Sequence, residues 1–125
     1  MRPGSKLILF TCFPGVTFAN AHADNAKELE TNENASREQA ALALLAKARD
    51  VVLAAPACPF ARDDIREIAC CTNDMRSAIV DFADTEAVDS IVVGCRGIGV
   101  LKRVVLGSTS SYLVQHATCP VVVCR

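Results

Sequence analysis

The sequence predicts an α/β protein, an open parallel sheet with helices on both of its faces. Apolar runs of strand length alternate along the chain with segments of helical periodicity. The later runs, residues 90–93 and 121–124, are rich in β-branched residues and do not alternate apolar with polar positions, which is typical of strands covered on both faces. A length of 125 residues indicates a single domain, residues 1–125, around one core.

The first half of the chain predicts a strand, an irregular segment and a helix. Residues 6–13 form an apolar run that ends in a Pro-Gly turn. Residues 17–35 are polar and lack sustained periodicity, which predicts a loop or mobile insertion. A helix is expected to begin at Ser36, because Ser36 and Gln39 fit a capping box, and to end before Pro56. Its apolar positions share one face: Ala41, Leu44, Leu45, Ala48, Val51 and Val52.

The next three elements predict a strand, a helix and a strand in close succession. Residues 65–71 form a short buried strand, and Asn73 or Asp74 can cap the helix that follows. With the strand at residues 90–93, this predicts a βαβ unit. The helix between the strands has apolar residues at helical spacing, at Met75, Ala78, Ile79, Phe82 and Ala83.

The last two elements are a helix over residues 108–116, which follows Gly107, and a strand over residues 121–124. That strand, Val121 to Cys124, is expected to form an edge of the sheet. An exposed edge offers unpaired backbone groups to a second copy, so we expect a homodimer through it.

The N-terminus raises the question of a signal peptide. Residues 1–6 are weakly basic, residues 7–18 are mostly apolar, and Ala19-Asn20-Ala21 imitates a cleavage site. Polar and turn residues interrupt the apolar stretch, which favours a strand. We therefore expect a cytoplasmic protein, with secretion as the alternative if residues 1–21 are a signal peptide.

The composition of the chain limits the classes of partner that it is expected to bind. The chain has no Trp and one Tyr, which leaves little surface on which bases could stack, so no nucleic-acid partner is expected. No stretch approaches the roughly 20 apolar residues that a membrane span needs. The seven cysteines contain no CxxC pair and no zinc-finger spacing, which favours buried free thiols in a reducing compartment.

Basic residues and glycines occur together near the C-terminus. Residues 90–125 hold four cations and no carboxylate, while the whole chain has a net charge of −1, and such a local basic field favours a small anionic ligand. Gly94 follows a predicted strand, Gly97 lies in the loop beyond it, and Gly107 leads into a helix whose first N–H groups are unpaired. Glycine lets a phosphate approach the backbone closely and often adopts a positive φ. The helix adds hydroxyl donors at Ser108, Thr109 and Ser110.

Other glycine motifs fit less well. Neither a dinucleotide fingerprint nor a G-x-x-x-x-G-K-[ST] loop occurs. The segment that starts at Gly107 is not a G-x-S-x-G elbow, and His116 has no feature that marks it as catalytic, so it is expected to be a polar residue near a helix C-terminus.

The spacing Gly94-x2-Gly97-x9-Gly107-Ser108 resembles the nucleotide signature of the universal stress protein family. Residues 91–123 as a whole are similar to that family's C-terminal block, which includes Gln115-His116-Ala117 and Cys119-Pro120-Val121. The resemblance implies a parallel sheet of order 3-2-1-4-5 and ATP as the ligand. Mg²⁺ is expected to accompany ATP only if a carboxylate from elsewhere coordinates it.

The resemblance also implies roles for single residues. The triphosphate is expected to bind at Gly94, Gly97, Gly107 and Ser108 with Thr109 or Ser110. Arg96 or Arg103 is expected to screen its charge, and Cys12 to contact the adenine side. Slow ATP hydrolysis, or phosphorylation of Ser108 or Ser110, follows only from the resemblance, and no residue presents itself as a catalytic base.

The N-terminus of the chain differs from the family's pattern. Residues 6–13 are similar to the family's second strand, and residues 1–5 to the turn before it, so the first strand and helix are expected to be missing. We expect either that Met1 is internal to a longer protein or that strands re-pair, and that ATP binding is weakened. The alternative function is a non-nucleotide interaction and dimerisation module that keeps the glycine loop for structure.

Overall fold

The computed structural model describes residues 4–17, 25–94 and 106–124. Contacts divide the chain into two compact units, Met1–Asn73 and Asp74–Arg125. The elements follow one another as β1 (Leu7–Phe13), α1 (Ala26–Ala54), a 3-10 turn (Arg62–Asp64), β2 (Ile65–Cys71), α2 (Met75–Thr85), β3 (Ile91–Gly94), α3 (Ser108–His116) and β4 (Val121–Cys124). The predicted strands and the two later helices are confirmed to within a residue or two.

The first unit is a parallel strand pair with α1 on one face. β1 pairs with β2 in register from Leu7 opposite Ile65 to Phe13 opposite Cys71. Successive side chains of a strand point to opposite faces, so Phe13 and Ile65 share a face. Both are buried, as are Ala41 and Leu45 of α1. These four side chains form the core of the first unit.

The expected loop over residues 17–35 is wrong for residues 26–35, because α1 begins at Ala26. Ser36 lies inside the helix, so the predicted capping box does not form. Polar contacts hold this early part of α1 where an apolar stripe is lacking. The Asn34 side chain accepts from the Val16 N–H at 2.8 Å and donates to the Val16 carbonyl at 3.2 Å. Arg37 donates to the Pro14 carbonyl at 3.1 Å.

The apolar face of α1 also differs from the expected one. Leu44 and Val51 are 58% and 72% exposed, whereas Leu45 is 4% exposed. Each α-helical residue turns by about 100°, so a stripe centred on Ala41 and Leu45 leaves Leu44 and Val51 outside it. The predicted end is confirmed, since the helix stops at Ala54 and Ala55 is extended, as expected one residue before a proline.

The second unit repeats the plan with shorter strands. β3 pairs with β4 in parallel, from Ile91 opposite Val121 to Gly94 opposite Cys124. Ala83 of α2 and Leu113 of α3 are buried, Leu113 to 1% exposure. Thr118, just before β4, donates a short hydrogen bond to the Asp84 carboxylate at the end of α2.

Both ends of α2 are capped. Asp74 is the N-cap, and its carboxylate accepts from the Ser77 N–H at 3.3 Å and from the Ser77 hydroxyl at 2.7 Å. At the other end, the Val88 N–H donates to the Ala83 carbonyl and the Ala87 N–H to the Asp84 carbonyl. This is a Schellman motif, in which Ala87 takes the left-handed conformation at φ 49°.

One expectation about the sheet needs correction. β3 and β4 are not covered on both faces in this structure, since Val92 and Val122, which are register partners, are 67% and 50% exposed. The parallel neighbours are β1 with β2 and β3 with β4. Helices α1 and α3 each link the two strands of one parallel pair, as β1-α1-β2 and β3-α3-β4. These neighbours agree with the 3-2 and 4-5 neighbours of the expected order, and the rest of that order stays a prediction.

No helix in the described part of the chain combines the length and the apolar character needed to cross a membrane.

Candidate functional site

Gly94 ends β3 at the carboxyl edge of its sheet. It is exposed, and a Cβ built on it would meet no protein atom within 4 Å. Among the described glycines only Gly4 has a positive φ, so the expected use of a positive φ is wrong for Gly94. The fold of the second unit tolerates a side chain at this position. What the glycine leaves is open space beside a strand end, where a ligand can approach the backbone.

Gly107 is the N-cap of α3. Its φ of −60° and ψ of 160° are accessible to any residue, so the backbone angles alone do not require a glycine at this position. The first helical bond runs from the Ser111 N–H to the Gly107 carbonyl at 2.9 Å. The N–H groups of residues 108–110 precede that bond and face the start of the helix, where the helix dipole favours an anion.

The three predicted hydroxyls differ in their surroundings. Ser110 is 2% exposed, and its hydroxyl donates to the Gly107 carbonyl at 3.2 Å. That contact uses the Ser110 hydroxyl to close the first turn of α3. Ser108 is exposed and Thr109 is half-buried. Ser108 therefore offers the most accessible hydroxyl of the three, and the role of each toward a ligand stays a prediction.

Topology relates the two glycine positions. In a parallel pair joined by a helix, the helix runs back across the strands and starts near the carboxyl end of the first strand. Gly94 is that strand end, and Gly107 precedes that helix. Ligands of open α/β sheets bind beyond the carboxyl ends of strands. Arg96, Gly97 and Arg103 fall outside the described residues, and their roles stay predictions.

Cys12 belongs to the first unit, near the carboxyl end of β1. It is half-buried, and burial together with the neighbouring Cys70 raises its pKa to about 11. Its thiol is therefore neutral at physiological pH. A neutral, polarisable thiol suits contact with an apolar ring better than contact with a phosphate.

The first unit also has a cavity that the sequence did not predict. It has a volume of about 420 Å³ at the carboxyl end of the β1–β2 pair, and its lining combines both strands with the early turns of α1: Phe13, Thr31, Asn34, Ala35, Glu38, Ala69 and Cys71. Three of these residues lie in the segment expected to be a loop. The high helix propensity of the Ala, Glu, Lys and Leu residues over 26–30 was the available signal.

His116 behaves as expected, as a polar residue at the end of a helix. It is the last residue of α3, and its Nδ1 donates to the Tyr112 carbonyl at 2.9 Å. Its ring stacks on Tyr112 with centroids 4.0 Å apart, and the Arg76 guanidinium lies 5.3 Å from the Tyr112 ring centroid. These contacts join α2 to α3 and indicate a packing role.

Comparisons with known proteins agree with this architecture. The family model Usp, described as the universal stress protein family, matches residues 1–125. Universal stress protein YxiE of Bacillus subtilis is 47% identical over 47 residues, 38% of this chain and 32% of that protein. Universal stress protein MJ0531 of Methanocaldococcus jannaschii is 40% identical over 47 residues, 38% of this chain and 28% of that protein.

The aligned part of the chain thus spans about a third of these relatives' lengths. The structure of the universal stress protein UspA from Lactobacillus plantarum superposes with a TM-score of 0.70 at 23% identity, covering 98% of this chain and 79% of that one. At that identity the likeness shows the fold, an open α/β arrangement of parallel strands and helices. With the family model matching from end to end, the chain belongs to the universal stress protein family, a family of stress-response proteins.

Proposed function

We propose that this chain binds ATP, with the phosphates between the end of β3 and the start of α3. The main support is the coincidence of a signature with a geometry. Gly94 and Gly107-Ser108, the two ends of the Gly94-x2-Gly97-x9-Gly107-Ser108 spacing, lie at a strand end and a helix start of one helix-linked parallel pair.

The chemistry of the described residues fits a phosphate. Gly94 leaves open space next to the backbone, and the first turn of α3 directs three N–H groups toward its own start. Ser108 adds an exposed hydroxyl. When bound, ATP supplies a triphosphate that needs such donors, and the adenine contact expected of Cys12 stays a prediction. Residues 90–125 hold no carboxylate, so any Mg²⁺ would need its protein ligand from elsewhere.

Calorimetric titration of the chain with ATP tests this proposal. We expect saturable heat, and a loss of affinity of at least tenfold in Gly94→Val, because the added side chain fills the space reserved for the ligand. Gly94→Val is expected to fold, since no protein atom lies where its Cβ would be. Ser90→Ala is the matched control, an exposed position just before the opposite end of the same strand.

Absence of heat with the wild-type chain at millimolar ATP would count against nucleotide binding and favour the second function below. Equal loss in Ser90→Ala would show that the site lies elsewhere. Circular dichroism of both variants separates loss of the site from loss of the fold.

A second function, an interaction module that dimerises, is supported by the exposed face of the β3–β4 pair. Val92 and Val122 lie side by side with 67% and 50% of their surfaces exposed. Among the described strands β4 pairs with β3 alone, so we propose a homodimer through Val121–Cys124. The free thiols of the described residues support a reducing compartment, which we propose to be the cytoplasm.

Proline substitutions test the dimer. Successive backbone N–H groups of a strand point to opposite sides, and proline has no N–H. One of Val122→Pro and Val123→Pro therefore removes a hydrogen bond to β3, and the other removes a donor from the open edge of β4. We expect one variant to be destabilised and the other to be a folded monomer by sedimentation. A wild-type monomer at all concentrations would contradict the dimer.

A further inference from the structure

The face of the β1–β2 pair opposite α1 carries two neighbouring thiols. Cys12 of β1 and Cys70 of β2 are register partners, so their side chains stand on the same face of the sheet. Neighbouring strands lie about 4.8 Å apart, and disulfides usually span Cα atoms about 4.4–6.8 Å apart. Register partners therefore have the Cα spacing that a disulfide spans.

Both cysteines are free, half-buried thiols. Burial and the proximity of Cys70 raise the pKa of Cys12 to about 11. Because the thiolate is the nucleophile in thiol chemistry, the first attack on an oxidant falls to Cys70, and Cys12 follows as the resolving thiol.

We propose that Cys12 and Cys70 form a reversible disulfide that links β1 to β2, made by hydrogen peroxide and opened by thiol reductants. In the first step the Cys70 thiolate attacks one peroxide oxygen, an S–O bond forms, and the O–O bond breaks. The departing hydroxide takes up a proton from solvent and leaves as water. Cys70 is now a sulfenic acid.

In the second step the Cys12 sulfur attacks the Cys70 sulfur. The S–S bond forms, the S–O bond breaks, and the proton of Cys12 leaves with the hydroxide as a second water. The two thiols lose two electrons, which reduce one peroxide to two waters. A thiol reductant reverses the change by thiol–disulfide exchange, with its own oxidation to a disulfide.

Cys71 provides an internal comparison. It follows Cys70 directly and is exposed, but it points to the face that α1 covers and its register partner is Phe13. A carbon added at Gly15 would lie 3.1 Å from the Cys71 sulfur, so this thiol faces the loop after β1. If exposure alone decided which thiol is oxidised, Cys71 would form the disulfide with Cys12. If the strand register decides it, Cys70 would form that disulfide.

Peptide mapping of the oxidised full chain tests the proposal. After treatment with hydrogen peroxide and alkylation of the remaining thiols, trypsin releases Cys12 in residues 7–27 and both Cys70 and Cys71 in residues 67–76. We expect these two peptides linked, lighter by two hydrogen atoms than their sum, with fragment ions that assign the link to Cys70. Dithiothreitol should release them. A link assigned to Cys71, or an unlinked Cys12 while other thiols oxidise, would overturn the proposal.

Variants provide an independent readout. Cys71→Ser should form the link at the wild-type rate, whereas Cys70→Ser should leave the 7–27 peptide alkylated at Cys12. Persistence of the link in Cys70→Ser would contradict the proposal, as would its appearance only in the dimer band of a non-reducing gel. The fragment ions of the wild-type chain decide the matter even if a variant fails to fold.

Discussion

The two parallel strand pairs share one plan but are stabilised differently. The β1–β2 pair has seven residues in each strand and faces a helix of 29 residues. Polar contacts also join that helix to β2 and to the loop after β1. The β3–β4 pair has four residues in each strand, and its unit contains the most buried leucine of the described chain. A long pair can rely on spread polar contacts, while a short pair depends on a few buried side chains.

The largest effect is expected from the buried leucines. Leu113→Ala in the second unit and Leu45→Ala in the first remove side chains that are 1% and 4% exposed, and each should cost about 2–5 kcal/mol in the free energy of unfolding. Because the short β3–β4 pair depends on a few buried side chains, we expect the greater loss of stability in Leu113→Ala. Chemical denaturation measures both.

The controls for the leucines lie beside them. Leu44→Ala and Val114→Ala change residues that are 58% and 54% exposed and should cost no more than about 0.5 kcal/mol. An equal loss in core and control variants would show that these helices do not pack as described.

The second effect concerns the ion pair between α1 and β2. Arg49 donates to Glu67 at 2.6 Å, with side chains 18% and 21% exposed. Glu67→Gln leaves the arginine charge half-buried with a weaker acceptor and should cost about 1–3 kcal/mol. Asp50, 66% exposed and 3.2 Å from Arg49, supplies the control: Asp50→Asn should cost less than about 1 kcal/mol. Similar costs would mean that the polar contacts of the first unit contribute little.

The third effect depends on pH and belongs to the second unit. Hydrogen bonds from the Ser77 side chain and backbone lower the pKa of Asp74, so its carboxylate is favoured in the folded state. Its contribution is complete above the unfolded pKa, near pH 4, and is lost as pH falls through the lower folded pKa. The melting temperature of the wild type should therefore fall toward that of Asp74→Asn in acid. A constant difference between them from pH 7 to pH 2 would contradict the cap.

The smallest effect is a gain. Ala87 has φ 49° at the end of α2, a conformation that costs an alanine about 1 kcal/mol and glycine almost nothing. Ala87→Gly should stabilise the chain by about 0.5–1 kcal/mol. The same change inside the helix, Ala78→Gly, should destabilise it by a similar amount. A loss in both would mean that Ala87 is not left-handed in solution.

The sequence predicted elements well wherever local signals were strong. Asp74 caps α2, α3 and β4 have their expected bounds, and β3 lies one residue later than expected, because β-branched runs and caps act over a few residues. The sequence failed for residues 26–35, where the side-chain bonds of Asn34 and Arg37 to residues 14–16 fix a helix that lacks an apolar stripe. Such contacts join distant parts of the chain, and no local pattern signals them.

The candidate phosphate site was predictable as a pattern and less so as chemistry. The spacing of Gly94 and Gly107 identified the strand end and the helix start. It did not show that both glycines have ordinary backbone angles or that the Ser110 hydroxyl bonds the Gly107 carbonyl. Pairing of Cys12 with Cys70 was equally hidden, because register depends on how two strands align across more than 50 intervening residues.

The bond between Asn34 and Val16 has a consequence for sequence variation. The amide of Asn34 pairs with the N–H and the carbonyl of a single residue, as a neighbouring strand would, so it holds the backbone and is indifferent to the side chain there. Position 16 is then free to vary among residues that keep their N–H, whereas position 34 is constrained to the one side chain that presents a donor and an acceptor at that reach. In a library of variants selected for folding, diversity should accumulate at 16 and be depleted at 34.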